Sequence, residues 1–188
     1  MLQAKNGVSE PDVEARIEMH LGEVALEQKQ FEQALSHLQR VLELQPVDAD
    51  NWETLGMIQQ GLEHFEEAES SFKRAIELDP HEAEYYSNLG LLYRDMNQDE
   101  RAIQTLKDGL AANPASVQLH LYLAGAYDTL QDYQQAEDLL KKAAQLDPDS
   151  ELVASYRQVL ARNKVNRPDT APKPLKLTGH KKRKQKHR

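Results

Sequence analysis

The segment Asn51-Trp52-Glu53-Thr54-Leu55-Gly56-Met57, followed by Ala68-Glu69-Ser70-Ser71-Phe72 and closed by Asp79-Pro80, decides the fold, because its landmarks recur at one interval. Stepping outward from Leu55 by 34 residues gives Leu21, Leu89 and Leu123. The same step carries Gly56 to Gly22, Gly90 and Ala124, Ala68 to Ala34, Ala102 and Ala136, and Pro80 to Pro46, Pro114 and Pro148. Columns that agree in register across four units identify an internal repeat. The units are 15–48, 49–82, 83–116 and 117–150.

Each unit has two helical halves. Tyr86, Leu89, Gly90 and Tyr93 stand at i, i+3, i+4 and i+7, as do Trp52, Leu55, Gly56 and Gln59. Ala68, Phe72 and Ala75, and likewise Ala136, Leu140 and Ala143, follow the same helical period. Such spacing places apolar side chains on one helix face. Small residues in the glycine and alanine columns predict a close antiparallel approach of the two helices, and the proline ends the second.

The pattern resembles the tetratricopeptide repeat, a helix–turn–helix unit carrying W-x2-L-G-x2-Y, then A-x3-F, then P. Here it stands as Trp52-x2-Leu55-Gly56, Ala68-x3-Phe72 and Pro80, and as Tyr86-x2-Leu89-Gly90-x2-Tyr93, Ala102-x3-Leu106 and Pro114. The resemblance implies an all-α, right-handed α-solenoid of four helix-turn-helix repeats. Departures fall at Glu18 and His120 in the aromatic column, at Ala124 in the glycine column, and at Asp99 where Phe31, Phe65 and Tyr133 stand elsewhere. The last departure puts the tightness of the third unit's turn in question.

The expected organisation is an N-terminal extension over 1–10, a solenoid over 11–164 and a tail over 165–188. A solenoid's last unit needs a cap with a polar outer side. Residues 150–163 offer one, with Leu152, Val153, Tyr156, Val159 and Leu160 as its stripe and Glu151, Arg157, Gln158 and Arg162 opposite. Ser9 is a candidate N-cap for the first helix, with Asp12 three residues on. The proline-containing linker and basic end after Lys164 have too little apolar surface to offset ordering entropy, so disorder is expected there.

Several classes are disfavoured. The chain has no cysteine, hence no disulfide, thiolate metal site or cysteine nucleophile. No apolar run reaches the roughly 20 residues of a membrane span, and the opening residues do not read as a secretory signal. There is no G-x-S-x-G, Walker loop, G-x-G-x-x-G or H-E-x-x-H motif. His120 falls in the packing column and His37, His64 and His81 at turn or outward positions, with no metal-ligand spacing. The reading is therefore a non-enzymatic protein without metal or cofactor, expected in the cytoplasm, or in the nucleus if eukaryotic.

Two features carry the functional expectation. The family resemblance implies that first helices line a concave groove, which places Met19, Glu23, Leu26, Glu53, Met57, Asn88, Leu91, Arg94, Asp95, Leu121, Tyr122 and Asp128 along it. Acids outnumber bases at these columns, so the expected partner is a basic or amphipathic peptide or helix held by an adaptor or scaffold. The acids at the columns where some relatives carry a carboxylate clamp would repel an acidic tail. The second feature is the end of the chain, Lys181, Lys182, Arg183, Lys184, Lys186 and Arg188. It supports an alternative, a nucleic-acid- or ribosome-associated factor whose tail contacts phosphates. The tail's 14-residue linker 166–179 could also let it reach the acidic groove. The formal net charge of −8 hides this division. Residues 1–164 hold 14 bases and 30 acids, a net of −16, and residues 165–188 hold nine bases and one acid, a net of +8.

Overall fold

The computed structural model describes residues 10–166, and among them every regular element is an α-helix. The order is α1 Glu10–Glu27, α2 Phe31–Leu44, α3 Ala49–Gly61, α4 Phe65–Leu78, α5 Ala83–Asp95, α6 Asp99–Ala112, α7 Val117–Thr129, α8 Tyr133–Leu146 and α9 Glu151–Val165. Each odd helix pairs with the next even one, and each pair stacks on its neighbour. The architecture is the all-α solenoid expected from the repeat. Ser9, the candidate cap, and the tail residues Lys181, Lys182, Arg183, Lys184, Lys186 and Arg188 lie outside the described residues.

The repeat columns become the core. Ala34, Ala68, Ala102 and Ala136 are all fully buried, and Leu38, Phe72, Leu106 and Leu140 beside them are at most 2% exposed. A Cβ placed on Gly56 would stand 2.7 Å from the Phe72 ring, and one on Gly90 would stand 2.9 Å from Leu106. Those two glycines set how closely the paired helices approach. Gly22 does not, since a Cβ there meets its nearest neighbour, His37, at an ordinary 3.5 Å.

The turn within each unit uses one geometry four times. Lys29, Glu63, Asn97 and Gln131 all have φ near +60°, and the amide one residue further on reaches back to Ala25, Gln59, Tyr93 and Tyr127 respectively. This is the left-handed helix stop that satisfies otherwise orphaned carbonyls. The third unit's turn is as tight as the others despite Asp99. Its turn residue Asn97 tolerates the left-handed conformation better than the Lys, Glu or Gln of the other units. Between units, helices stop two residues before each proline. The next helix begins on a cap at Asp48, Glu82, Ser116 or Ser150, each accepting a backbone N–H.

The aromatic column ties helices to these loops. Trp52 Nε1 donates to the Pro46 carbonyl at 2.9 Å, and Tyr86 Oη donates to that of Pro80 at 3.2 Å. In the first unit Glu18 takes the aromatic position and sits 2.7 Å from His37 Nδ1, both half-buried. The outward placement expected for His37 is thus corrected, because a carboxylate in the packing column draws the imidazole in. On the other face, burial opposes the charge of Glu69, but bonds from Arg101, Lys73 and Tyr93 hold its carboxyl down to about 2. The Arg101 guanidinium also lies 4.0 Å from the Tyr93 ring centre, so this cluster joins the second unit to the third.

The expected cap is present as α9, two residues longer than the expected end at 163. Its stripe is corrected: Val153 and Leu160 are buried, whereas Leu152 and Val159 are exposed at 55% and 41%. The helix meets α7 and α8 along one narrow line, and the 3.6-residue period turns those two side chains off it.

Two outcomes test this packing. Gly56→Ala should lower thermal stability, costing about 1–3 kcal/mol through overpacking. Gly22→Ala should raise it by about 0.5–1 kcal/mol through helix propensity. Glu63→Gly should likewise add about 1 kcal/mol by relieving the left-handed backbone, and thermal melts of the three variants measure both effects.

Candidate functional site: the face of the first helices

The first helices of successive units lie side by side, α3 against α5, α5 against α7 and α7 against α9. The spacing of 34 residues makes equivalent side chains neighbours across this face. Direct bonds then join residues 35 apart. Tyr85 Oη donates to Asp50, Asn88 Nδ2 donates to Glu53 at 2.7 Å, Gln60 Nε2 donates to Asp95 at 2.6 Å, and Asn163 Nδ2 donates to Asp128 at 2.6 Å. The one-residue excess over the repeat reflects the offset between adjacent helices, so an acid on one unit meets a donor on the other.

These bonds sort the sequence-predicted residues. Glu53, Asn88, Asp95 and Asp128 are brought together as inter-unit ties as well as surface groups. Met57 is 44% exposed, and Leu91, on the next first helix at the equivalent position, is half-buried. Glu23 is exposed, and Met19, Leu26, Arg94 and Tyr122 are half-buried. Leu121 is corrected: at 2% exposure it belongs to the core between α7 and its neighbours and offers nothing to a ligand. Its column packs between first helices elsewhere too, since Ser87 is fully buried and bonded to the Ala83 carbonyl.

Two participants were not singled out from the sequence. Tyr85 and Asn163 supply donors to the acids, as Gln60 does, and the usable signal was an acid and a donor 35 residues apart, in either order. Burial and the bond to Asp50 push the Tyr85 phenol up, which keeps it a donor.

Glu53 is the electrostatically unusual group. Burial, then the charges of Glu84, Asp50 and Glu82, push its carboxyl from 4.5 to about 7, although the bond from Asn88 pulls the other way. A carboxylate held among other acids with only an amide for company is a favourable neighbour for an incoming cation. Among the described residues no group of three or more His, Cys, Asp or Glu could hold a metal ion, and no helix is long and apolar enough to cross a membrane.

The model of the cytochrome c-type biogenesis protein H TPR domain matches residues 11–151. The chain belongs to this tetratricopeptide-repeat family. Solved structures agree on the fold. MamA from Desulfovibrio magneticus is 22% identical over 81% of this chain and 84% of that one, with a TM-score of 0.65. PilF from Pseudomonas aeruginosa is 21% identical over 84% and 72%, with a TM-score of 0.68. YrrB, described as a TPR protein with an unusual peptide-binding site, is 19% identical over 78% and 76%, with a TM-score of 0.62. No curated protein sequence matches the chain. Tetratricopeptide-repeat proteins are in general interaction scaffolds rather than catalysts, and this chain has their fold.

The pH dependence of stability tests the Glu53 environment. A carboxyl raised in the folded state binds its proton more tightly there than in the unfolded chain. Stability is therefore lost as pH rises from about 4.5 through about 7. Glu53→Gln keeps an oxygen for Asn88 and should melt higher than the parent at pH 8. The two should converge near pH 4, measured by thermal melts.

Proposed function

We propose that the protein is an adaptor whose concave face holds a basic, amphipathic peptide or helix of a partner protein. The carrying observation is that Met57 and Leu91 hold equivalent positions on the adjacent helices α3 and α5, one exposed and one half-buried, each with an acid one turn away, Glu53 and Asp95. An unbranched thioether beside an aliphatic side chain adapts to partner side chains of varied shape. The acids around it supply attraction for Lys or Arg and repel acidic partners. The raised carboxyl of Glu53 supports the same reading, since a partner cation placed there would favour its ionised form. Peptide binding by the structurally similar YrrB is consistent with a groove of this kind.

A labelled Lys- and Leu-rich helical peptide is the direct probe. Met57→Ala with Leu91→Ala should weaken binding about tenfold or more while leaving the helical circular dichroism unchanged. Affinity should fall with added salt and rise between pH 5 and 8 as Glu53 ionises. Full affinity in the double variant would remove the groove reading.

A further inference from the structure

The repeat register exposes a surface at the front of the solenoid that the concave face does not include. In each later unit three columns of the first helix pack against the preceding unit. One runs Leu55, Leu89 and Leu123, at 6%, 4% and 3% exposure; its first-unit member, Leu21, is 45% exposed. Ile58, Leu92, Ala126 and Leu160 are buried where Val24 is exposed, and Asn51, Tyr85, Leu119 and Val153 are buried where Ile17 is exposed. With Val13 these residues form one stripe along the 18-residue α1. No helix of the described residues covers it.

We propose that this stripe is a self-association surface, on which α1 of a second copy packs antiparallel. The stripe is its own complement under a two-fold axis perpendicular to the helix. Reversing α1 about a point between Ile17 and Leu21 sets Ile17 against Leu21, brings Val13 within one residue of Val24, and sets Glu10 against Gln28 just past the helix end. The flanking charges match in the same arrangement. Arg16 and Glu23 lie on one side of the stripe, beside a depression of about 530 Å³ that Val13, Ile17 and His20 also line. The two-fold keeps that side facing itself, so Arg16 of each copy stands opposite Glu23 of the other. Parallel pairing about an axis along the helices would instead put the Arg16 and Glu23 side of the two copies on opposite edges of the seam, out of each other's reach.

The other end of the solenoid favours a closed pair over a chain of copies. Stacking one copy's α1 on another's α8 would continue the repeat, but α9 already covers α8 through Val153 and Leu160. A two-fold contact closes on itself and needs no second surface of the solenoid. Helices of about 27 Å in contact along their length make an interface at the small end of the specific range. A reversible, concentration-dependent dimer is therefore expected.

The test is sedimentation of the full chain from micromolar to near-millimolar concentration. The parent should shift toward twice the monomer mass, and Leu21→Glu should stay monomeric with unchanged helical circular dichroism. Arg16→Glu should weaken the dimer, and Arg16→Glu combined with Glu23→Arg should restore it, which only antiparallel pairing of α1 predicts. A parent that is monomeric throughout, a dimer indifferent to Leu21→Glu, or a charge swap without rescue would each overturn the proposal. So would dimerisation that appears only after removal of residues 1–9, which would identify those residues as the cover.

Discussion

A hairpin of two helices has more apolar surface than it can hide within itself, and the rest of this structure depends on that constraint. The pairing of α3 with α4 buries Ala68 and Phe72, but Leu55 and Ile58 face the other way and need the unit before. Stacking solves the problem one neighbour at a time. It also fixes where the problem remains unsolved. At the back, α9 presents Val153 and Leu160 to α7 and α8 and turns Arg157 and Gln158 to water. At the front, α1 carries the same inward-facing columns with nothing described in front of them.

The face of the first helices is shaped by a second, polar consequence of stacking. Equivalent residues on successive first helices sit close enough to bond, and four acids do so with donors 35 residues away. These acids therefore tie neighbouring units together and give the face of the first helices its charge at once. The cost is greatest at Glu53, whose burial near Glu84 and Asp50 raises its carboxyl to about 7. Between α4 and α6 the opposite arrangement prevails, where Arg101 and Lys73 meet Glu69 and hold its carboxyl down. Glu53, on the face that also displays Met57 and Leu91, has neighbouring acids and an amide in place of such cations.

Most of the fold was legible because the constraint that creates it repeats. Alanine and leucine columns at a fixed interval report burial four times over, and each proline reports a helix end. The departures misled only where one residue was weighed by itself. Asp99 suggested a loose turn, yet the turn depends on the left-handed residue Asn97 and not on the side chain two positions later. His37 read as outward until Glu18, 19 residues earlier, proved to be its partner. In the site, the column placed Met57 and Glu53 on the outward side of α3, where one is exposed and the other half-buried. Leu121 was not separable from them, because periodicity assigns a column to a helix face without saying how closely the next helix approaches.

The sequence by itself determined the number of units, their register, the pairing of helices and the division of charge between an acidic body and a basic end. Those properties follow from composition and local periodicity, which are written along the chain. Only the tertiary structure decided which acids bond to a neighbouring unit, which apolar residues of α9 reach the core, and that Ile17, Leu21 and Val24 stand uncovered. Each of these depends on the offset and distance between stacked helices. A difference of one residue in contact register, 35 in place of 34, separates a free carboxylate from a bonded one.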